Sequence, residues 1–85
     1  MKIEKESRRG KTTIRLSGRL QAVHLEELKI QIGEAGPTTA VDLNEVTLVD
    51  VDVVRFLASC EESGIALENC SAYIREWIKR EREQS

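Results

Sequence analysis

Polar and apolar residues alternate along several short stretches of this chain, and between them apolar residues recur every third or fourth position. Alternation puts every second side chain on one face of a strand, whereas the longer spacing draws a stripe down a helix. Residues 1–7 alternate weakly and carry many charges, the pattern of an edge strand. Arg8-Arg9-Gly10-Lys11 reads as a turn, with Gly10 able to supply a positive φ. Residues 12–17 alternate well. Ile14 and Leu16 share one side, Thr13, Arg15 and Ser17 the other, and Gly18 ends the run.

Residues 22–32 suit a helix, with Leu25, Leu28 and Ile32 as its apolar stripe and Glu26, Glu27, Lys29 and Gln31 facing water. Gly33 and Gly36-Pro37 terminate it, because glycine tolerates a left-handed cap and proline cannot continue a helix. Residues 40–43 form a second alternating strand with Val41 and Leu43 inward, and Val46, Leu48 and Val49 continue apolar through a bend. A second helix starts near Asp50 and runs to Glu62, burying Val53, Val54, Leu57 and Ala58, and Ser63-Gly64 closes it. Ile65 and Leu67 mark a third alternating strand, with Ala66 and Glu68 opposite. Ser71 is placed to cap a last helix over 72–81, whose stripe is Ile74, Trp77 and Ile78 and whose Glu76 and Arg80 pair at i, i+4. The charged end, residues 79–85, is expected to fray.

The order β-β-α-β-α-β-α, with three strands separated by helices, implies parallel pairing and a mixed four-stranded sheet. Right-handed crossovers moving in one direction put their helices on the same face. Alternation within each strand agrees, since a sheet covered on both faces has strands that are apolar throughout. The expected fold is therefore a two-layer α/β structure with helices mainly on one face. Thr13, Arg15, Asp42 and Glu68 line the other.

Composition narrows the possible roles. Eighty-five residues make one domain, 1–85, burying roughly 60–65% of its unfolded surface and leaving little room for an enclosed active site. Its only aromatics are Phe56, Tyr73 and Trp77, so the core is aliphatic. A net charge of -2 with interspersed signs argues against nucleic acid. No apolar run approaches the roughly 20 residues of a membrane span, and the N-terminus lacks the apolar stretch of a signal peptide, so no membrane insertion and a cytoplasmic location are expected. Cys60 and Cys70 form no CxxC pair and read as free, small buried residues without metal.

Residues 41–50, VDLNEVTLVD, resemble the central strand and loop of STAS domains, the family of bacterial anti-sigma factor antagonists and of the cytosolic domains of sulphate transporters. The family pattern is an apolar-Asp-Leu strand, a bend, then Asp-Ser-Ser-Gly or Asp-Ser-Thr-Gly opening a helix. Residues 12–20, TTIRLSGRL, are similar to its earlier strand ending in Gly-Glu-Leu-Asp, with Gln21 where the aspartate often stands. The segment order matches over nearly the whole chain. Asp50 occupies the turn aspartate, Val51 the phosphorylated serine, Asp52 the second hydroxyl residue and Val53 the glycine. The resemblance implies a protein-interaction regulatory module that docks an anti-sigma factor or kinase-like protein through Asp50, Val51, Asp52, Val53 and Val54. Docking would be constitutive, because valine has no hydroxyl to phosphorylate. An alternative is a STAS-type subunit docking on an ATP-binding transporter component.

Simpler roles stand beside these. Asp50 reads as a helix N-cap and Asp52 as a first-turn acid favoured by the helix dipole. A permanent phosphoserine mimic at Asp52 is the sharper alternative, although the acid sits one residue out of place. His24 reads as an exposed structural histidine, with phosphotransfer as an alternative of another class; the glycine-rich, arginine-bearing context of histidine phosphocarriers is missing. Tyr73 and Trp77 read either as core or as a partner-binding patch. No nucleophile–base pair or oxyanion-hole loop is visible, so neither an enzyme nor a cofactor is expected.

Overall fold

The computed structural model describes residues 1–36 and 38–84. Pro37, expected to help end the first helix, and Ser85, at the expected frayed end, lie outside the described residues. Strands β1 (Lys2–Arg8) and β2 (Lys11–Leu20) form the opening hairpin. Its turn needs two left-handed residues: Arg9 has φ 52° and Gly10 φ 79°. The primed turn matches the strand twist, and it puts Arg9 as well as the expected Gly10 at positive φ.

A 3-10 turn (Ala22–His24) leads into α1 (Leu25–Ala35), followed by β3 (Thr39–Val49), α2 (Val51–Glu62), β4 (Ala66–Glu68) and α3 (Ala72–Gln84). The sheet order is β1-β2-β3-β4, with β1 antiparallel to β2 and the remaining pairs parallel. This is the expected mixed four-stranded, two-layer α/β arrangement. Ile14 and Leu16 of β2 and Val41 and Leu43 of β3 share one buried cluster with Leu28 and Ile32 of α1, Val53, Val54 and Leu57 of α2, and Ile74 and Ile78 of α3. All three helices thus cover the same sheet face. On the other face Thr13, Arg15, Asp42 and Glu68 line an open polar hollow.

Several boundaries differ from the sequence reading. Gly18 does not end β2: it sits inside the strand at φ +85°, between register shifts against β3. A Cβ there would meet nothing nearer than Met1 Cα at 3.9 Å, so the backbone angle and not crowding favours glycine. Gly33 lies within α1, and Gly36, at φ 87°, caps it. The expected bend at Val46–Val49 is instead strand, absorbed into β3 by the same irregular pairing. Alternation also fails at the start of β3, where Ala40 and Asp42 are buried along with Val41 and Leu43. β3 lies between β2 and β4, whose longer side chains cover its polar face.

The last helix does not fray at residue 79 but continues to Gln84. Arg55 Nε donates to Glu81 at 2.7 Å, and Arg75 and Arg82 donate to the two oxygens of Glu61 at 2.6 and 2.9 Å. These bonds tie the charged end of α3 to α2. Ser71 Oγ accepts the Ile74 N–H at 3.3 Å, and Glu76 and Arg80 approach to 3.7 Å, both as expected.

Candidate protein-docking surface

The loop between β3 and α2 is organised by Asp50. Its Oδ1 accepts the Val53 N–H at 3.0 Å, filling one of the amide positions a helix start leaves open. Its Oδ2 accepts the Ala22 N–H at 2.7 Å, and its own N–H donates to Leu20 O at 3.3 Å. The N-cap role is as expected. The bond to Ala22 is additional, and it fastens the end of β2 to the start of α2 through one carboxylate.

Close in sequence to the residues it joins, three apolar side chains face solvent. Val23, next to Ala22, is 80% exposed; Leu48, two residues before Asp50, is 47% exposed; Val51, the first residue of α2, is 37% exposed. Asp52 is also exposed. Val53 and Val54 are not part of this surface. Both are fully buried in the core, so the expectation that their side chains contact a partner is corrected. The helical period explains the division: Val53, Val54, Leu57 and Ala58 face the sheet, and Val51 falls off that stripe. Val23 was not singled out in the sequence, although it lies outside the Leu25, Leu28, Ile32 stripe, and Leu48 was named only as part of the apolar run through the expected bend.

His24 closes the 3-10 turn. Its Nδ1 accepts the Gln21 backbone N–H at 3.0 Å, and the His24 backbone N–H donates to Gln21 O at 2.8 Å. The imidazole thus has a structural task on the chain that carries Val23.

A second polar cluster lies on the open sheet face. Asp42, expected there only as a solvent-facing residue of its strand, is buried. Its Oδ1 accepts the Asn44 N–H at 2.9 Å and Asn69 Nδ2 at 3.2 Å, and its Oδ2 pairs with Arg15 Nε at 3.5 Å. Burial pushes this carboxyl upward, but the bonds from Asn44, Asn69 and Arg15 together hold it below the usual range. Asn69 reaches it from a left-handed backbone, φ 54°, a conformation asparagine tolerates better than most residues. Nothing in the sequence order joins residues 15, 42 and 69.

Tyr73 and Trp77 stand one turn apart on α3 with ring centroids 5.9 Å apart. Tyr73 is exposed, while Trp77 is half-buried and packs its inner side on the core. Cys60 is buried in α2, and Cys70 is half-buried between β4 and α3; both are free thiols. Burial pushes the Cys60 thiol up to about 11 and also raises that of Cys70. Among the described residues no group of His, Cys, Asp and Glu is arranged to hold a metal ion, and no helix is long and apolar enough to cross a membrane.

No protein-family model and no curated protein matches the chain. Among solved structures, its fold is similar to that in the crystal structure of a protein called Mglu, with a TM-score of 0.62 and 15% sequence identity. The match covers 76% of this chain and 18% of that one, so the chain corresponds to a small part of the larger molecule. At this identity the likeness concerns the fold alone, here a two-layer α/β arrangement with a mixed sheet.

Proposed function

We propose that the chain is a protein-interaction module of STAS type, docking its partner through the surface formed by Val23, Leu48, Val51 and Asp52. The observation that carries this reading is the solvent-facing pair Val23 and Val51, held on either side of the Asp50 carboxylate that bonds both of their loops. Exposed apolar side chains on a rigid support with a charged rim suit partner contact, because their burial is favourable and little ordering is needed on binding. The STAS resemblance of residues 12–20 and 41–50 brings the family's partner-facing loop to the same place. It suggests an anti-sigma factor or kinase-like protein, or a transporter ATPase, as partner.

The docking is constitutive in this reading. In a relative with serine at the position of Val51, an added phosphate introduces about -1.5 to -2 charge into the interface and disfavours it by repulsion and desolvation. Val51 cannot accept one. Asp50 and Val53 act beneath the surface, as fastening and core.

The test is affinity capture from native lysate with three baits: the parent chain, Val51→Glu and Val23→Asp. A partner retained by the parent and lost from both folded variants supports the surface. Equal retention by all three puts the interface elsewhere and overturns the proposal.

A further inference from the structure

Away from the loop of Asp50, the open sheet face carries a trough that runs across the strands. Glu6, Thr13, Ala40 and Ala66 are in register from β1 to β4. All but Glu6 are small. The paired residues Arg8 and Lys11 stand on one side of this row, and Arg15, Asp42 and Glu68 on the other. The result is an open hollow of about 530 Å³.

Three carboxylates in the hollow are each matched by a cation: Glu6 by Arg8 at 3.0 Å, Asp42 by Arg15 at 3.5 Å, and Glu68 by Lys11 at 3.1 Å. The Lys11–Glu68 pair joins β2 to β4 and so arches over β3 between them, where Ala40 leaves room. Arg9 also lines the hollow and has no acidic partner among the described residues. One positive charge is therefore left over, beside a lysine held only by a half-exposed carboxylate.

We propose that this trough binds a small multiply charged anion of the phosphate class through Arg9, Lys11 and the Thr13 hydroxyl, with Glu68 displaced from Lys11. A phosphate group has enough acceptor oxygens to engage all three at once and enough charge to take Lys11 from a single carboxylate; a lone carboxylate ligand does not. Opening the Lys11–Glu68 pair costs little, because the pair lies in the open hollow with both side chains about half exposed to water. Arg15 stays with Asp42, whose position is fixed by Asn44 and Asn69. The trough and the docking surface share no residue.

Amide NMR titration of the full chain with inorganic pyrophosphate, at constant ionic strength with chloride as control, tests the proposal. Expected are saturable shifts centred on Arg9, Lys11, Thr13 and Glu68. Arg9→Gln should weaken binding about tenfold, the equivalent of one charge-assisted hydrogen bond. Glu68→Gln should strengthen it about threefold by removing the competing carboxylate. Separate titrations with inorganic phosphate and phosphoserine distinguish a free from an esterified source. Shifts no larger than chloride gives, shifts centred on the helix starts near Val23 and Val51, or weaker binding by folded Glu68→Gln each overturn it.

Discussion

Asp50 and Ala22 are separated by 28 positions in the chain, yet the Asp50 carboxylate accepts the Ala22 amide at 2.7 Å while also capping α2 through Val53. One side chain thus sets both the start of α2 and the position of the 3-10 turn before α1. Its removal should be felt in both loops. Asp50→Ala should lower stability by about 1–2 kcal/mol, the range for lost N-caps, and shift the amide resonances of Ala22 and Val23 as well as those of Val51–Val53. Shifts confined to α2 would mean that the Ala22 bond does not persist in solution.

The valines of α2 should separate by role. Val54→Ala should cost about 2 kcal/mol, from roughly 0.8 kcal/mol per buried methylene plus the cavity left behind. Val51→Ala should leave stability within about 0.5 kcal/mol of the parent, since it lies on the surface. Urea unfolding of the two variants measures the difference. Equal midpoints would contradict the assignment of Val54 to the core and Val51 to the surface.

Acid should act partly through Asp42. Its carboxyl sits below its ordinary value in the folded chain, so the unfolded chain binds the proton first. Its contribution to stability is present above the unfolded value near 4 and is lost as pH falls through the lower folded value. Asp42→Asn should therefore be less stable than the parent at pH 7, and the gap should narrow as the pH falls well below 4. Chemical denaturation across that window checks the sign. A gap that widens on acidification would show that Asp42 is not stabilised as the anion.

The raised thiols predict slow chemistry. Cys60, pushed up to about 11 in the core, should resist a thiol reagent at pH 7–8 in the folded chain, and half-buried Cys70 should react first. Unfolding without reductant should release two titratable thiols. A count of zero would mean that the pair is oxidised.

Most of the fold was legible because local patterns agree with the final packing. Alternation at Ile14/Leu16 and the stripe of Val53, Val54, Leu57 and Ala58 each identify a face that the core does bury. Where the sequence misled, position in the sheet decided. Asp42 and Ala40 alternate with apolar neighbours as exposed residues would, yet β3 is interior and its flanking strands cover them. Lys79–Gln84 has the composition of a frayed end, but Glu61, Glu81, Arg55 and Arg82 form cross-helix bonds that spacing along one helix cannot reveal. The candidate surface was half legible. Its loop stands out at Asp50–Asp52, whereas Val23 joins it only through the Ala22 bond.

In the proposed mode a partner docks on Val51 with no phosphorylation switch. It is tested most directly by titrating the captured partner against the parent, Val51→Glu and Val51→Ser, each first shown by circular dichroism to keep the parent fold. Val51→Glu places a carboxylate beside Asp50 and Asp52 in the buried contact and should weaken binding by at least about tenfold, the minimum expected for an unpaired buried charge. Val51→Ser should bind nearly as the parent does, and parent binding should not respond to kinase and ATP acting on this site. If folded Val51→Glu binds the partner as tightly as the parent, the surface at Val51 is not the docking site.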